Sequence, residues 1–238
     1  MSFKEKITKA KDKMLDIIFP NDITCIFCGR DIPQGSICLH CEKSGIFNTG
    51  NRCTICDTPI KEGNIICDHC KRSKRHFKTT SCPFIYNSKT RSSIIKLKSD
   101  GAKYLAKPFA RHIYDRLVAD GIEYDVIIPV PSHKKSISKR GYNPAKVLAE
   151  ELSTLSNKPV LDILIKTVHT KNQKYLDYKA RQENLENSIT ITDPKLIKGK
   201  CVLIIDDIIT TAATIETCAC LMTKAKEVHA CAVARRTI

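Results

Sequence analysis

The sequence predicts an α/β fold with a largely parallel β-sheet, preceded by a cysteine-rich module that binds metal. Three observations lead to this prediction. Four CxxC pairs lie within the first 70 residues, predicted strands alternate with predicted helices further along the chain, and one strand ends in two adjacent carboxylates. The chain therefore combines a metal-binding part with a part that has the layout of a ligand-binding parallel sheet.

The four CxxC pairs divide into two similar halves. The Cys-Ile-Phe-Cys and Cys-Leu-His-Cys pairs of the first half correspond to Cys-Thr-Ile-Cys and Cys-Asp-His-Cys in the second. A CxxC turn directs two thiolates towards one point, and two such turns complete the tetrahedral shell of a zinc ion. Four protein ligands leave no open position, so structural zinc is expected, with two ions in all. The predicted ligands are Cys25, Cys28, Cys38, Cys41, Cys53, Cys56, Cys67 and Cys70.

Disulfide bonds are the main alternative to zinc, and cytosolic thiols stay reduced. Sequential pairing, with one ion in each repeat, is the simpler arrangement, although a cross-brace in which the first and third pairs share an ion remains open. His40 and His69 are interpreted as neighbours of the ligands, because each repeat already supplies four thiolates. The module has little apolar mass, so its folding is expected to depend on zinc.

Three parts are predicted along the chain. Residues 1–20 form an amphipathic helix, residues 21–75 form a double zinc ribbon with a basic linker, and residues 76–238 form the α/β domain. The last part has about 160 residues, which is enough to bury a core of its own. The helix is indicated by apolar residues at helical spacing, which are Phe3, Ile7, Ala10, Met14 and Ile17.

The α/β domain is predicted to begin with a strand over 82–86. A helical pattern over 94–119 is broken near Gly101 and Pro108, and a buried strand covers 126–130. Pro144 fits the first turn of a helix that runs to about Leu155. Short strands are expected at 161–165 and 189–191, with a loop or flap between them. The remaining elements are a strand over 201–205, a helix from about 214 to 224 and a strand over 228–233.

The segment from Cys201 to Thr214 is the most informative motif. Its strand leads into Asp206 and Asp207, and a small hydroxyl-rich turn then opens a helix. Ligands of parallel sheets bind beyond the carboxyl ends of the strands, where acids hold ribose hydroxyls or a magnesium-bound ligand. The free N–H groups at the start of a helix bind phosphate. The motif therefore predicts a sugar-phosphate site, and the alternative is a buried strand whose acids merely begin a turn.

The composition bounds the function in a coarser way. The formal net charge of +15 favours acidic partners, namely nucleic acid, anionic lipid or phosphorylated small molecules, although it also fits plain solubility. The longest apolar runs are too short to span a bilayer. The first residues, Met1 to Lys13, mix Lys, Glu and Asp without the apolar core of a secretory signal, so a cytoplasmic protein is expected.

Residues 204–214 resemble the ribose-phosphate signature of the type I phosphoribosyltransferases, except that Ala212 stands where that family usually has Gly. A methyl group there would crowd the phosphate or strain a turn that needs a positive φ. The whole chain resembles the ComF family, specifically the ComFC-like competence proteins, in which a double zinc ribbon precedes a phosphoribosyltransferase-like domain. Besides the cysteines and residues 206–214, the resemblance is carried by Leu97-Lys98, Pro129-Val130-Pro131, Arg140-Gly141-Tyr142-Asn143, and the spaced Gln173, Leu176, Arg181 and Asn184.

The resemblance implies a role for each matched residue. Asp206 and Asp207 would be the catalytic acids and would hold the ribose hydroxyls of phosphoribosyl pyrophosphate, which binds with Mg²⁺. The turn at 131–135, with Ser132 and Lys134, would approach the pyrophosphate, and Arg140 would add positive charge. The turn after the acids would cradle the 5′-phosphate, and a flap would cover the site. The turn consists of Thr210, Thr211, Ala212, Ala213 and Thr214, and the flap residues are Gln173, Arg181 and Asn184.

Two functional hypotheses of different class follow. One is a competence protein for DNA uptake and natural transformation, which binds phosphoribosyl pyrophosphate and single-stranded DNA. The resemblance links such proteins to a helicase-like competence protein and to recombination-loading proteins. The other is an active phosphoribosyltransferase that acts on an unknown acceptor in nucleotide metabolism. The sequence shows neither a base-recognition hood nor an obvious general base, and the departure at Pro144, where the family usually has Gln, lies near the expected site.

Overall fold

A computed structural model of the chain describes residues 24–99, 101–166 and 188–237. The chain divides into two compact units, one ending at Ser44 and the other beginning at Gly45. The predicted helix over 1–20 and the predicted flap residues Gln173, Arg181 and Asn184 lie outside the described residues. The boundaries of the three predicted parts stay predictions.

The first unit is built around its two CxxC turns. Thr24 and Asp31 form an antiparallel bridge on either side of the first turn. The second turn opens a short helix, α1 (Leu39–Glu42), and the Cys38 thiol accepts a hydrogen bond from the backbone N–H of Cys41. The buried side chains of this unit are few, as expected for a module that metal ligands hold together.

The second unit joins the other two CxxC turns to the α/β part. Within the described residues its helices are α2 (Asp68–Arg72), α3 (Ser88–Ser99), α4 (Ala106–Ala119), α5 (Lys134–Arg140), α6 (Pro144–Ser156) and α7 (Ala213–Cys220). Its strands are β1 (Thr79–Ser81), β2 (Phe84–Ile85), β3 (Val126–Pro129), β4 (Leu164–Lys166), β5 (Ile189–Ile191), β6 (Cys201–Ile209) and β7 (Glu227–Arg235).

The main sheet is parallel throughout and has the order β1-β7-β6-β3, with β2 also pairing with β7. Most residues of β6 and β7 are buried, as expected for central strands of a parallel sheet that is covered on both faces. A separate antiparallel pair joins β4 to β5, with Ile165 opposite Thr190. The predicted α/β fold with a parallel sheet is thereby confirmed.

Most predicted elements are found, with differences at their ends. The predicted break near Gly101 is present, but α4 runs through Pro108 without interruption. Pro108 lies in the first turn of that helix, where its missing N–H would have had no intrahelical partner. Of the predicted strand over 82–86 only β2 is a strand, β1 comes before it and was not predicted, and the helix expected to reach residue 224 ends at Cys220. None of the described helices is both long and apolar enough to cross a membrane.

Candidate functional site

A cleft of about 410 Å³ opens at the carboxyl ends of the central strands. Strand β3 pairs with β6 only as far as Pro129 opposite Ile205, so β6 continues past its neighbour. Asp206 and Asp207 come directly after that point and line the cleft. The position is the one where parallel sheets bind their ligands. Six of the predicted site residues line the cleft together, namely Asp206, Asp207, Thr210, Thr214, Ser132 and Arg140.

The two acids have different surroundings. Asp207 is buried, and its carboxylate pairs with the Lys98 ammonium group at 3.2 Å. Asp206 accepts a 2.8 Å hydrogen bond at Oδ1 from the backbone N–H of Asp207. Desolvation raises the pKa of Asp206 to about 7, and the negative charge of Asp207 acts in the same direction. Adjacent carboxylates in such a cleft suit hydroxyl groups and a cationic ligand.

The turn after the acids presents hydroxyl groups and backbone N–H groups. The side chains of Thr210 and Thr211 are exposed, and α7 begins at Ala213 directly behind them. The first N–H groups of a helix have no intrahelical acceptor, so they are available to a phosphate. Thr211 Oγ1 accepts a hydrogen bond of 3.4 Å from the backbone N–H of Ala213. Thr211, Ala212 and Ala213 form this turn but do not line the cleft with side chains.

The strain expected at Ala212 is present. This residue precedes α7 with φ 63° and ψ 13°, in the left-handed region, and its methyl group is buried in the main core. A non-glycine residue in this region is destabilised by about 1–2 kcal/mol. Burial of the methyl group stabilises the fold by roughly 0.8 kcal/mol and offsets part of that cost, which explains how alanine is tolerated in a position that suits glycine.

Exchange of Ala212 for glycine should therefore change stability little. Ala212→Gly relieves the backbone strain but loses the buried methyl group, so the free energy of unfolding is expected to stay within about 1 kcal/mol of wild type. The control Ala213→Gly lies at the first helical position and should be destabilising by up to about 1 kcal/mol. Urea unfolding measures both variants. A larger loss in Ala212→Gly than in Ala213→Gly would contradict the expectation.

The segment 131–144 forms the opposite wall of the cleft. Asn143 caps α6 through its side chain, and its Oδ1 also accepts a 3.0 Å hydrogen bond from Ser132 Oγ. Its Nδ2 donates to the carbonyl of Val130 at 2.9 Å, so one amide fixes the whole turn. Pro144 occupies the first position of α6, where its ring needs no N–H partner. The departure at Pro144 is thus compatible with the local fold.

The structure adds residues that sequence reasoning did not place in the site. Lys98 reaches the cleft from α3, although it was named from the sequence only as part of the resemblance and was given no role in the site. Spacing along the chain gave no signal for the others, because they come from separate elements. The additional cleft residues that carry charge or hydrogen-bonding groups are Tyr86, Lys98, Ser136, Asn143, Lys166 and Arg236, and His133 of the predicted 131–135 turn also lines the cleft. Lys134, which was expected near the pyrophosphate, lines a neighbouring cavity of about 500 Å³ instead of this cleft.

The eight predicted metal ligands form two tetrads with sequential pairing. Cys25, Cys28, Cys38 and Cys41 converge in one, and Cys53, Cys56, Cys67 and Cys70 in the other, with the sulfur atoms of each within 4.8 Å of one another. The Cys28–Cys38 and Cys56–Cys67 sulfur atoms are 3.6 Å apart. Zinc–sulfur bonds of 2.3 Å in a tetrahedron put sulfur atoms about 3.8 Å apart, so both tetrads fit zinc. His40 and His69 belong to neither tetrad.

Comparisons with known proteins agree with both parts. The profile of the double zinc ribbon domain matches residues 14–71, and that of the phosphoribosyl transferase domain matches residues 105–237. The chain belongs to the phosphoribosyl transferase domain family. Together with the relatives described next, the two matches confirm the resemblance to the ComF family.

Curated relatives match nearly the full length. "Competence protein ComFC" of Bacillus subtilis is 24% identical over 223 residues, covering 90% of this chain and 89% of the relative. "Competence protein F" of Haemophilus influenzae is 26% identical over 209 residues, covering 84% of this chain and 90% of the relative. "DNA utilization protein YhgH" of Escherichia coli K12 is 23% identical over 199 residues, covering 80% of this chain and 86% of the relative.

Solved structures align only weakly. A hypoxanthine phosphoribosyltransferase from Staphylococcus aureus aligns with a TM-score of 0.34 and 13% identity, over 54% of this chain and 61% of that one. Structural alignment at this level carries no argument about the function of this chain.

The second zinc ribbon is connected to the core of this phosphoribosyltransferase-family unit by Asp57. Asp57 lies four residues after Cys53 and has a positive φ of 57°. In the first ribbon, Gly29 has the equivalent position after Cys25, with φ 72°. The left-handed backbone of Asp57 is stabilised by hydrogen bonds that its carboxylate accepts from the Asn48 side chain at 2.8 Å and from the Cys82 backbone N–H at 2.7 Å. Desolvation raises the pKa of Asp57 to about 7, although Arg52 opposes the rise.

A second connection runs from the ribbon to the cleft through Arg235. This side chain, at the end of β7, is fully buried. Its guanidinium donates to the carbonyl oxygens of Ile209, at 2.9 Å, and Thr210, and Nη2 lies 3.6 Å from the Cys56 sulfur. Burial raises the pKa of the Cys56 thiol, and the Arg235 charge opposes that rise. One arginine therefore contacts both a zinc ligand and the hydroxyl-rich turn of the cleft.

Proposed function

We propose that this chain is a competence-type DNA-uptake protein whose phosphoribosyltransferase-like cleft binds phosphoribosyl pyrophosphate with Mg²⁺. Its relatives bear the names of competence and DNA utilization proteins, and the fold is that of the phosphoribosyl transferase domain. The observation that carries the proposal is the arrangement of the cleft. Adjacent acids lie near the carboxyl end of β6, hydroxyls and the first backbone N–H groups of α7 lie at the following turn, and cationic side chains line the same cleft.

Each part of the cleft would hold a different part of the ligand. Asp206 and Asp207 would accept hydrogen bonds from the ribose hydroxyls, and the turn at 210–214 would receive the 5′-phosphate. Arg140, Lys98 and Arg236 line the cleft and would offer positive charge to the pyrophosphate. Mg²⁺ bound to the pyrophosphate would neutralise its charge further. Each ribose hydroxyl bonded to a carboxylate contributes about 1.5–3 kcal/mol.

Calorimetric titration of phosphoribosyl pyrophosphate with Mg²⁺ tests this proposal. Wild type is expected to bind one equivalent, and the double variant Asp206→Asn/Asp207→Asn should bind at least about 10–100-fold more weakly. Asp115→Asn is the matched control, because Asp115 is an exposed acid outside the cleft that pairs with Arg111 of its own helix. No binding by a folded, zinc-loaded wild type would reject the ribose-phosphate site.

The stability of an Asp206→Asn variant at different pH values shows whether this substitution weakens ligand binding without weakening the fold. The folded-state pKa of Asp206, about 7, lies above its unfolded value of 3.8. Protonation of Asp206 therefore favours the folded state. The contribution is present below pH 4 and is lost as pH rises through 7. Asp206→Asn should thus be at least as stable as wild type at pH 8, and the difference should shrink towards pH 5 in thermal unfolding. A less stable variant at pH 8 would contradict the assignment of this pKa.

We also propose that the chain binds single-stranded DNA, which its net charge of +15 favours. Affinity for an oligonucleotide is expected to fall steeply with salt, because bound phosphates release counterions. Lys74 is exposed in the basic linker. If it contacts one phosphate, Lys74→Gln should reduce the slope of log affinity against log salt concentration by about 0.7. Lys195→Gln, at an exposed lysine outside the linker, is the control. Affinity that does not change between low and high salt would reject phosphate contacts.

Phosphoribosyl transfer is the second candidate function, and the electrostatics of Asp206 favour it. A carboxyl group whose pKa lies near 7 can accept and return a proton at neutral pH. Release of pyrophosphate in the presence of the wild-type chain and a set of nitrogen-containing acceptors tests for turnover. Binding without release under all acceptors would assign the cleft to ligand binding alone.

A further inference from the structure

Three potential metal ligands converge outside the cleft and outside both zinc tetrads. Glu216 and Cys220 lie four residues apart on α7 and therefore on one face of that helix, and His76 comes from the segment before β1. His76 Nδ1 is 2.6 Å from Glu216 Oε1 and 3.0 Å from Cys220 Sγ, and Cys220 Sγ is 3.8 Å from Glu216 Oε1. Each of the three donor atoms is thus within 4 Å of the other two.

The arrangement is held by the backbone as well as by the side chains. The N–H of His76 donates to both oxygens of Glu216, at 3.2 and 3.3 Å. Two residues later the N–H of Lys78 donates to the carbonyl of Val228 at 2.8 Å, and β1 then pairs with β7. The segment that carries His76 is therefore fixed to α7 on one side and to the sheet on the other. Ligands on fixed elements lose little entropy when a metal binds.

A simple surface ion pair between His76 and Glu216 would leave the thiol unexplained. Exposed pairs of this kind contribute little to stability, and they need no third donor. Here Cys220 places sulfur against the same ring nitrogen that meets the carboxylate. A set of one sulfur, one imidazole nitrogen and one carboxylate oxygen suits borderline divalent cations, above all Zn²⁺.

The distances between the donors also fit such an ion. Zinc bonds of 2.0–2.3 Å in a tetrahedron would place nitrogen, oxygen and sulfur donors about 3.4–3.6 Å apart. The observed separations of 2.6, 3.0 and 3.8 Å lie on both sides of that range. Each donor would move by less than about 1 Å, which side-chain rotation alone supplies. Glu216 is 15% exposed and His76 52%, so an ion could enter from solvent and keep water as its fourth ligand.

We propose that His76, Glu216 and Cys220 form a third zinc site, with one coordination position open to solvent. It differs from the two tetrads in having mixed ligands and a solvent-facing position. With three protein ligands it should hold zinc more weakly than the tetrads do, and the ion should exchange more readily. The site lies on α7, the helix that begins at the hydroxyl-rich turn of the cleft, but the proposal does not depend on phosphoribosyl pyrophosphate binding.

Metal titration of the full chain tests the proposal. Protein whose tetrads are already loaded with zinc is titrated with further Zn²⁺ against a chromophoric chelator. Wild type is expected to bind one more equivalent, three in all, and Cys220→Ser and His76→Gln should each weaken that third step at least tenfold. Cys201→Ser is the matched control, since Cys201 is a partly buried cysteine at the start of β6 outside the cluster. The Cys201→Ser variant should still bind three equivalents of zinc.

Cobalt gives an independent readout of the ligand set. Co²⁺ added to protein with zinc-loaded tetrads should develop the charge-transfer absorption of a single thiolate ligand, and Cys220→Ser should abolish it while circular dichroism stays unchanged. A wild type that binds only two zinc ions and shows no thiolate–cobalt band would overturn the proposal. A third equivalent that persists in Cys220→Ser with unchanged affinity would overturn it equally.

Discussion

Zinc removal is expected to unfold the first compact unit completely and the second ribbon only in part. Thiolate–zinc coordination supplies about 10–16 kcal/mol in small zinc modules, and residues 24–44 have few buried side chains to replace it. The second ribbon has additional support. The backbone N–H of Thr80 donates to the carbonyl of Ile55 at 2.8 Å, and Asp57 accepts from the N–H of Cys82 at 2.7 Å.

Limited proteolysis during chelator treatment measures this difference. Cleavage within 24–44 should come first, and cleavage within 51–72 should follow more slowly, while the parallel sheet stays resistant. Protein treated with chelator that has been saturated with zinc is the control, because it removes effects of the chelator itself. An unchanged protease pattern and near-UV spectrum after zinc loss would show that the ribbons do not depend on metal.

Replacement of Arg235 is expected to have the second largest effect. Arg235→Met removes the side-chain donor of the Ile209 and Thr210 carbonyls and the positive charge beside Cys56, while Ile209 keeps the hydrogen bond from the Arg236 backbone N–H. A buried carbonyl that loses its donor costs about 1–3 kcal/mol, and the thiolate of Cys56 also loses the neighbouring positive charge. Chemical unfolding should show a loss of that size. The turn at 210–214 should also lose its anchor, so binding of phosphoribosyl pyrophosphate should weaken along with stability.

Arg236 is a matched control for this experiment. It is the next residue in the chain, but it is exposed and lines the cleft. Arg236→Met should change stability by no more than about 0.5 kcal/mol, as for most surface substitutions, while it lowers ligand affinity through lost charge. If Arg235→Met and Arg236→Met were equally stable, the buried contacts of Arg235 would not be a significant support of the fold.

The metal centres could be predicted from the sequence because CxxC spacing is local. A CxxC turn determines where two thiolates point within four residues, so the repeat alone predicted two sets of four ligands. The parallel sheet and the sugar-phosphate motif were also local patterns, since an apolar strand, two acids and a helix start follow one another between Cys201 and Thr214. The positive φ of Ala212 could be anticipated from the residue type expected at that turn.

Contacts between distant segments could not be predicted in the same way. Lys98 lies beside Asp207, Arg235 lies beside Cys56, and His76 meets Glu216 of α7, and in each case the two partners are more than 100 positions apart in the sequence. Lys134 is the opposite case. It is two residues from Ser132 in the sequence, but it lines a neighbouring cavity and not the cleft.

The sequence by itself therefore determined the eight zinc ligands, the α/β class and the strand that carries the acids. Only the tertiary structure decided which cations surround those acids, and that a buried arginine connects a zinc ligand to the turn of the cleft. The physical reason lies in the range of the forces. Turn geometry and strand or helix periodicity act over a few residues, whereas the pairing of charges in a core depends on how strands align across the sheet.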